Sequence, residues 1–563
     1  MRRIVMLLVC LWHDALAQVD ATQCTDLSAR TEADLVNYDF DVEVASTRRA
    51  LARDRIYVTG EVRVIVQPVF DTNDPAEDNS LYRWANRLHR QTRQGTILEA
   101  ILFRPGEPVR VSSMLESERI LRAKAYLYDA RVIPRRLCGD RLDIDVVARD
   151  VWTLVPDADF SRSGGDNSYG YGVTDTNLLG SGQTLSLFFE KDADREGEGL
   201  FYEDPNVAGS RVALQTLFEN NSDGSRRVLD VGQPFYSLDA RRALGMRLED
   251  TDEERGLYLL SDKFAEFGQD LRRVSLSSGF SNGEMQGRTW RWLAGYNYEE
   301  YKFSPIRGSV PPDPIPADRT YGYPWVGFAS IEDQFDTTMN VDRIERTEDV
   351  DLGRAYSMLL GWSDSAFGGD SASRLVLRTH YQDGFRRGEK HLFFYGAELQ
   401  GYWNFDLNRS EQVMARTFAT YRQQQTGRFS LAGMIEGKAV HNLSTDQQLL
   451  GGGDTGLRGY PSRYQWGNRS YLVSVEERYF SDIYIARIVR VGLAAFVDAG
   501  RTWFSDGPGG DGYGTLADVG LGFRFESTRT RQDRVLHVDF AFPLVDGPDV
   551  QSMQILLVVK QRL

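Results

Sequence analysis

No segment of this 563-residue chain is long and apolar enough for a membrane-spanning helix, which requires about 20 such residues. Entry into a bilayer is therefore open to it only as a closed β-barrel. Positive charge is also short. The 66 Lys and Arg face 81 Asp and Glu, a net charge of -15, whereas a nucleic-acid partner would require a basic face. The histidines form no HExxH pair. The glycine run GGGDTG lacks the Lys-Ser/Thr ending of a phosphate-binding loop. No catalytic, cofactor-binding or metal-ligating set is expected. His89, His380, His391, His441 and His537 read as strand or loop residues.

Cysteine is scarce too, with Cys10, Cys24 and Cys138 only. Arg2 and Arg3 precede the apolar run IVMLLVCLW, and Ala15-Leu16-Ala17 offers a small-x-small cleavage site before Gln18. This pattern predicts a signal peptide over residues 1–17. The apolar run is too short for an anchor, and Val9 argues against a lipid on Cys10. Cleavage leaves Cys24 and Cys138 in an oxidising compartment, either as a disulfide or as two free thiols.

Aromatic residues, at 12%, and 52 glycines are plentiful, while the mean hydropathy of -0.41 is that of a water-soluble protein. Strands that alternate between lipid and lumen produce this combination. Residues 18–56 are polar, lack sustained periodicity and are expected to be a weakly ordered extension. Residues 57–152 read as a compact α+β module that opens with the strand VRVIVQPVF. Helical spacing then sets Leu81, Trp84, Ala85 and Leu88 on one face, and places Met114, Leu115, Ile120, Leu121 and Leu127 at roughly helical intervals. Two strands follow, around DARVIPRR and RLDIDVVAR, the second alternating Leu142, Ile144 and Val146 against charges.

From 153 to 563, period-two alternation takes over. RTWRWLAGYNY sets Trp290, Trp292, Ala294, Tyr296 and Tyr298 against Arg291, Gly295 and Asn297, and HLFFYGAELQGYWNF repeats the design. This segment is expected to be an all-β transmembrane barrel of about 16 antiparallel strands, at ~10 residues per strand plus turns and loops. The charged stretches 332–351 and 249–254 read as loops.

One further stretch, LLGGGDTGLRGYPSRYQWGNRSYLVSVEERYF, places a single arginine among glycines. In the strand after it, Ser474, Glu476 and Arg478 face the lumen if Tyr471, Val473 and Val475 meet lipid. In VGLAAFVDAGRTW, Asp498 points inward with Phe496. Two lumenal carboxylates on neighbouring strands call for a cation, and the Arg458 guanidinium can bind one of them through two parallel hydrogen bonds. Glycines let the loop around 451–468 fold back into the barrel.

The order strand, helix, helix, strand, strand, with YLYDARVIP and LDIDVVARD, resembles a polypeptide-transport-associated (POTRA) domain. GLRGY followed by SVEERYF, FVDAGRTW, VGLGFRF and HVDFAFPL resembles the C-terminal signature of the bacterial surface antigen superfamily of BamA/TamA-like assembly barrels, and NLLGSGQ its opening barrel strands. The resemblance implies a bacterial outer-membrane barrel with a periplasmic N-terminal domain and no enzymatic activity. It makes Arg458, Gly459 and Tyr460 the tip of an inward-folded loop, with Asp498 as main partner and Glu476 as second. It implies outer-membrane lipid, a client polypeptide met at the POTRA-like domain and the barrel seam, and accessory periplasmic or lipoprotein subunits as partners. Two departures, one POTRA-like domain and a terminal Leu563 in place of an aromatic, keep a dedicated exporter or a passive channel open beside assembly. An outer-membrane hydrolase is the weaker alternative.

Overall fold

The structure, a computed structural model, describes residues 24–28, 30–36, 38, 40, 51–52, 55–425, 427–505, 514–530 and 535–560. The expected signal peptide and the start at Gln18 lie outside these residues.

The N-terminal domain runs β1 (Cys24–Asp26), α1 (Glu32–Val36), β2 (Tyr57–Gln67), α2 (Ser80–Leu88), α3 (Gln94–Ala100), β3 (Pro108–Val109), α4 (Val111–Arg122), β4 (Leu127–Cys138) and β5 (Arg141–Asp150). Its five-stranded sheet has the order β1-β4-β5-β2-β3, with β5 parallel to β2 and antiparallel to β4. One sheet face is covered by α3 and α4, where Ile97, Ile101, Met114 and Leu121 pack on Leu142, Ile144 and Val146. The other is covered from the N-terminus, where Leu35, Tyr38 and Phe40 pack on Ile65, Ile133 and Val147.

The stretch 18–56, expected to be a loose extension, therefore supplies an edge strand and the second layer of the core. Covering both faces also explains why β5 is buried at Asp145 as well as at its apolar positions. Asp145 receives two hydrogen bonds from Arg63, each 2.9 Å. Register places Cys24 opposite Cys138, and the two form a disulfide that ties β1 to the end of β4.

The helix expected at 81–90 is α2, capped by the Asn79 side chain, which accepts from the Tyr82 backbone N–H at 2.9 Å. The helix expected at 114–127 starts three residues earlier and ends at Arg122, and Leu127 opens β4 instead. Helix α3 is too short to show a periodicity.

Beyond the domain, twenty antiparallel strands close into a barrel, from Leu154–Ser163 to Gln554–Lys560. The figure of about 16 is an undercount, because several hairpins turn in two residues, at 164–165, 222–223, 260–261 and 286–287, and little chain is spent on connections. Stretch 249–254 is no loop. It lies within strand Arg242–Leu259, where inward Glu249 is held at 3.1 Å by Arg226 and by Arg273. Alternation follows the sequence pattern, with Trp290 and Trp292 exposed on the outer wall while Thr289 and Glu299 are buried inside.

The end of the barrel carrying the domain is called proximal. Between barrel strands Arg319–Glu332 and Ala355–Ser363, the chain makes a proximal hairpin of Phe335–Met339 and Thr347–Asp351. The segment expected to be a loop at 332–351 is thus a small two-stranded sheet. Its turn enters the lumen, where the Arg343 side chain bonds Glu526 at 2.7 Å and Arg478 bonds the Val341 carbonyl at 2.9 Å.

The barrel closes unevenly. The last hairpin is paired from Val535↔Lys560 to Ala541↔Gln554, whereas among the described residues the last strand meets the first at one register pair, Leu557↔Arg162.

Candidate functional site

The glycine-rich loop enters the lumen from the distal end. Short strands Leu449–Gly451 and Gln465–Gly467 pair at its neck, and Gly456 turns the chain with φ +112°. The tip then presses against the wall. A Cβ on Gly459 would stand 2.6 Å from the Asp518 Cβ, so no larger residue fits without displacement. Tyr460 is fully buried; its hydroxyl donates to the Ala517 carbonyl at 2.7 Å and accepts from the Val545 N–H at 3.2 Å.

These contacts aim Arg458 into a set of acids. Its Nε and Nη2 donate to the two oxygens of Asp498 at 2.7 and 3.0 Å, and its Nη1 donates to Glu476 at 2.9 Å and Asp539 at 3.2 Å. The guanidinium carbon also lies 3.4 Å from the Phe496 ring centroid. Ser474 orients the main acceptor by donating to Asp498 at 2.6 Å. The structure thus brings Arg458, Glu476 and Asp498 together, with Gly459 and Tyr460 seating the tip.

Sequence reasoning missed Asp539, Arg524 and Asp518. Arg524 donates to Glu476 at 3.0 Å and also pairs with Asp539, and Asp518 is fully buried opposite Asp498 in register. The signal was present in VGLGFRF and HVDFAFPL, since Arg524 and Asp539 fall on the inward parity of their strands.

The network continues towards the proximal end. Glu476 accepts from Arg478 at 3.0 Å, and Arg478 reaches Asp342 of the hairpin at 3.4 Å; Arg422 holds the same Asp342 at 3.1 Å. The hairpin in turn grips the domain. Arg122 of α4 forks onto Asp349 at 2.7 and 2.5 Å, Arg119 reaches Asp333 at 3.0 Å, and Thr347 donates to Asp129 at 2.8 Å. A chain of charge-assisted contacts therefore runs from the distal tip, through the wall and the hairpin, to the N-terminal domain.

Inside the hairpin, Glu348 accepts from the N–H groups of Val341, Asp342 and Arg343 at 2.8, 2.9 and 3.3 Å. Burial, helped by the Asp342 carboxylate, pushes it up to about 7 against those three donors.

Other proximal turns also dock the domain. Asn177 donates to Thr92 at 2.7 Å, Arg211 to the Ile101 carbonyl at 2.8 Å, and the Leu238 N–H to Glu116 at 2.7 Å. NLLGSGQ forms the first of these turns, between the second and third barrel strands. On the far side of the seam, Arg529 binds the Val69 carbonyl at 2.7 Å and pairs with Glu77. Among the described residues no group of three or more His, Cys, Asp or Glu is arranged to hold a metal ion. His89 is spent on Asp150, at 2.9 Å.

The chain matches the Omp85 superfamily domain over residues 177–556. No curated protein matches it. Among solved structures it is similar to BamA from Haemophilus ducreyi lacking POTRA domains 1-3, with 14% identity over 89% of this chain and 84% of that one, at a TM-score of 0.39. It is also similar to CdiB from Acinetobacter baumannii, with 11% identity over 90% of each chain and a TM-score of 0.41. CdiB from Escherichia coli shows 11% identity over 95% of this chain and 93% of that one, at a TM-score of 0.39.

Proposed function

The chain belongs to the Omp85 superfamily of outer-membrane barrels, and on that premise we propose that it assists the insertion or translocation of polypeptides at the outer membrane. It does so without enzymatic activity, from a barrel whose POTRA-like domain lies in the periplasm. The observation that carries this reading is the seam. Among the described residues one register pair, Leu557↔Arg162, joins the first and last strands, and the domain is docked on the turns to either side of it. Unmet strand edges pair readily with an incoming strand, so a client delivered from the domain would meet the wall where it opens at least cost.

In this reading Arg458, Gly459 and Tyr460, with Glu476 and Asp498, form an internal latch that holds the C-terminal strands in shape while the seam works. Client polypeptides reach the domain and seam, and accessory periplasmic or lipoprotein subunits assist. Two inserts occupy the lumen, which favours this reading over a passive channel.

The test joins the seam through its register partners. Arg162→Cys with Leu557→Cys, once oxidised, is expected to abolish client insertion or export and to recover it on reduction; full activity in the oxidised form would remove the seam from the mechanism. Depletion followed by outer-membrane proteomics then separates the roles. Loss of many barrels marks a general assembly factor, loss of one protein a dedicated exporter, and loss of none a channel.

A further inference from the structure

The face of α2 that carries Leu81, Trp84 and Leu88 does not pack into the domain. All three residues are more than half exposed, at 61%, 57% and 57%. The helix is held by its other side, where Tyr82 stacks on Phe70 with ring centroids 4.2 Å apart and Asn86 donates to the Phe70 carbonyl at 2.8 Å. An apolar stripe at i, i+3 and i+7 on a well-capped helix is a surface kept for something.

Its position indicates what covers it. The Tyr82 hydroxyl bonds the Ala486 carbonyl in the proximal turn 486–488, and Ile488 of that turn packs on Val69, Phe70 and Tyr82. The helix therefore lies against the rim of the wall. The strand entering that turn, Arg469–Ile485, carries exposed Ile483 and Ile485 at its end, so the wall's apolar outer surface continues down to the turn that α2 touches. Charge agrees with depth. Arg87, Arg90 and Arg93 are exposed along and just beyond the helix, where they suit lipid phosphates, and an apolar stripe of Trp with Leu flanked by Arg is the composition of a helix lying in a bilayer interface.

We propose that α2 is a membrane-binding element. Leu81, Trp84 and Leu88 seat in the headgroup and acyl boundary of the proximal leaflet, and Arg87, Arg90 and Arg93 bind phospholipid phosphates. This rests on the barrel spanning a membrane, and it adds a second lipid contact beside the wall. It fixes the domain against the bilayer next to the seam.

The test uses the chain from Gln18 onward, which lacks Cys10, in vesicles of phosphatidylethanolamine and phosphatidylglycerol, without other protein. Spin labels are placed singly at Leu81→Cys and, independently, at Leu88→Cys. Val326→Cys on the outer wall and Asp140→Cys on the domain serve as references, and Cys24 and Cys138 are occupied by their disulfide. Depth measured by power saturation should place labels 81 and 88 about 5–10 Å below the phosphates, with label 326 in hydrocarbon and label 140 in water. Arg87→Glu with Arg90→Glu should make the labels at 81 and 88 shallower.

Labels 81 and 88 in water, with 326 still in hydrocarbon, would overturn the proposal and leave the barrel reading standing. Label 326 in water would overturn both. Labels 81 and 88 that leave water only on addition of an unfolded barrel precursor would make the stripe a client site and overturn the lipid assignment.

Discussion

Two inserts enter the lumen from opposite ends and are held in opposite ways. The distal tip concentrates its hold on one guanidinium that binds Asp498, Glu476 and Asp539, with a glycine pressed on the wall behind it. The proximal hairpin spreads its hold over many pairs, some to the wall through Asp342 and Arg343 and some to the domain through Asp349 and Asp333. A concentrated hold fails as a unit when its one cation is lost. A distributed hold degrades by steps. The first suits a fixed part, the second a part that has to yield.

The sharpest way to break this contrast is Arg458→Ala. It leaves the buried Asp498 without its cation, while Glu476 and Asp539 keep Arg524, and a loss of about 3 to 5 kcal/mol is expected, read as a fall in the temperature at which the folded form disappears on heat-modifiable gels. Arg458→Lys keeps the charge but not the paired geometry and should fall between. An unchanged Arg458→Ala would reduce the tip to an ordinary turn. Next in size is Arg122→Gln, which removes the two-bond fork onto Asp349 and leaves Arg119–Asp333 and Thr347–Asp129 to hold the hairpin to the domain. A cost of about 2 kcal/mol is expected, below the value for a fully buried pair because Asp349 keeps some solvent. Protease should then cut 340–348 faster with no change in barrel heat mobility. A barrel destabilised as much as by Arg458→Ala would show that the two holds are not separate.

Asp342→Asn weakens the bonds from Arg422 and Arg478 and should cost about 1 kcal/mol, seen as a modest rise in single-channel conductance. The most local effect is expected from pH. Glu348 goes from an ordinary value of 4.5 to about 7 in the folded hairpin, so the folded state binds its proton more tightly than the unfolded one. Its contribution is fully present below the unfolded value and is lost as pH rises through the folded one. Hydrogen exchange at the Val341, Asp342 and Arg343 amides should therefore quicken as pH rises through that range, after correction for intrinsic rates, and Glu348→Gln should flatten the change.

The concentrated hold was legible in the sequence because it obeys parity. Glycines mark the turn, and alternate residues fix which side of a strand Glu476 and Asp498 occupy. Arg524 and Asp539 obeyed the same parity but needed four strands aligned at once, and a single sequence shows no register between strands. The hairpin was illegible for a different reason. FDTTM sets Phe335 and Met339 on its exposed side and TEDVD has no apolar side, so short strands stabilised by ion pairs look like a solvated loop, and the same disguise hid 249–254. The second layer of the domain was lost because Leu35, Tyr38 and Phe40 lie in and beyond a helix of five residues, too short for a period. For α2 the period was readable and the destination was not: a helix face bound for lipid has the same spacing as one bound for a core.

The strand count bears on why there are two inserts. A barrel's width grows about in proportion to the number of strands, so its cross-section grows with the square. Twenty strands in place of sixteen therefore enclose about half as much area again. A wider ring leaves more lumen for inserts to occupy. The hairpin 335–351 enters that lumen from the proximal end, and the chain supplies it from the turn between two wall strands, so widening the ring and occupying it are linked demands on one sequence. A relative that lost the hairpin while keeping all twenty strands would be expected to leak.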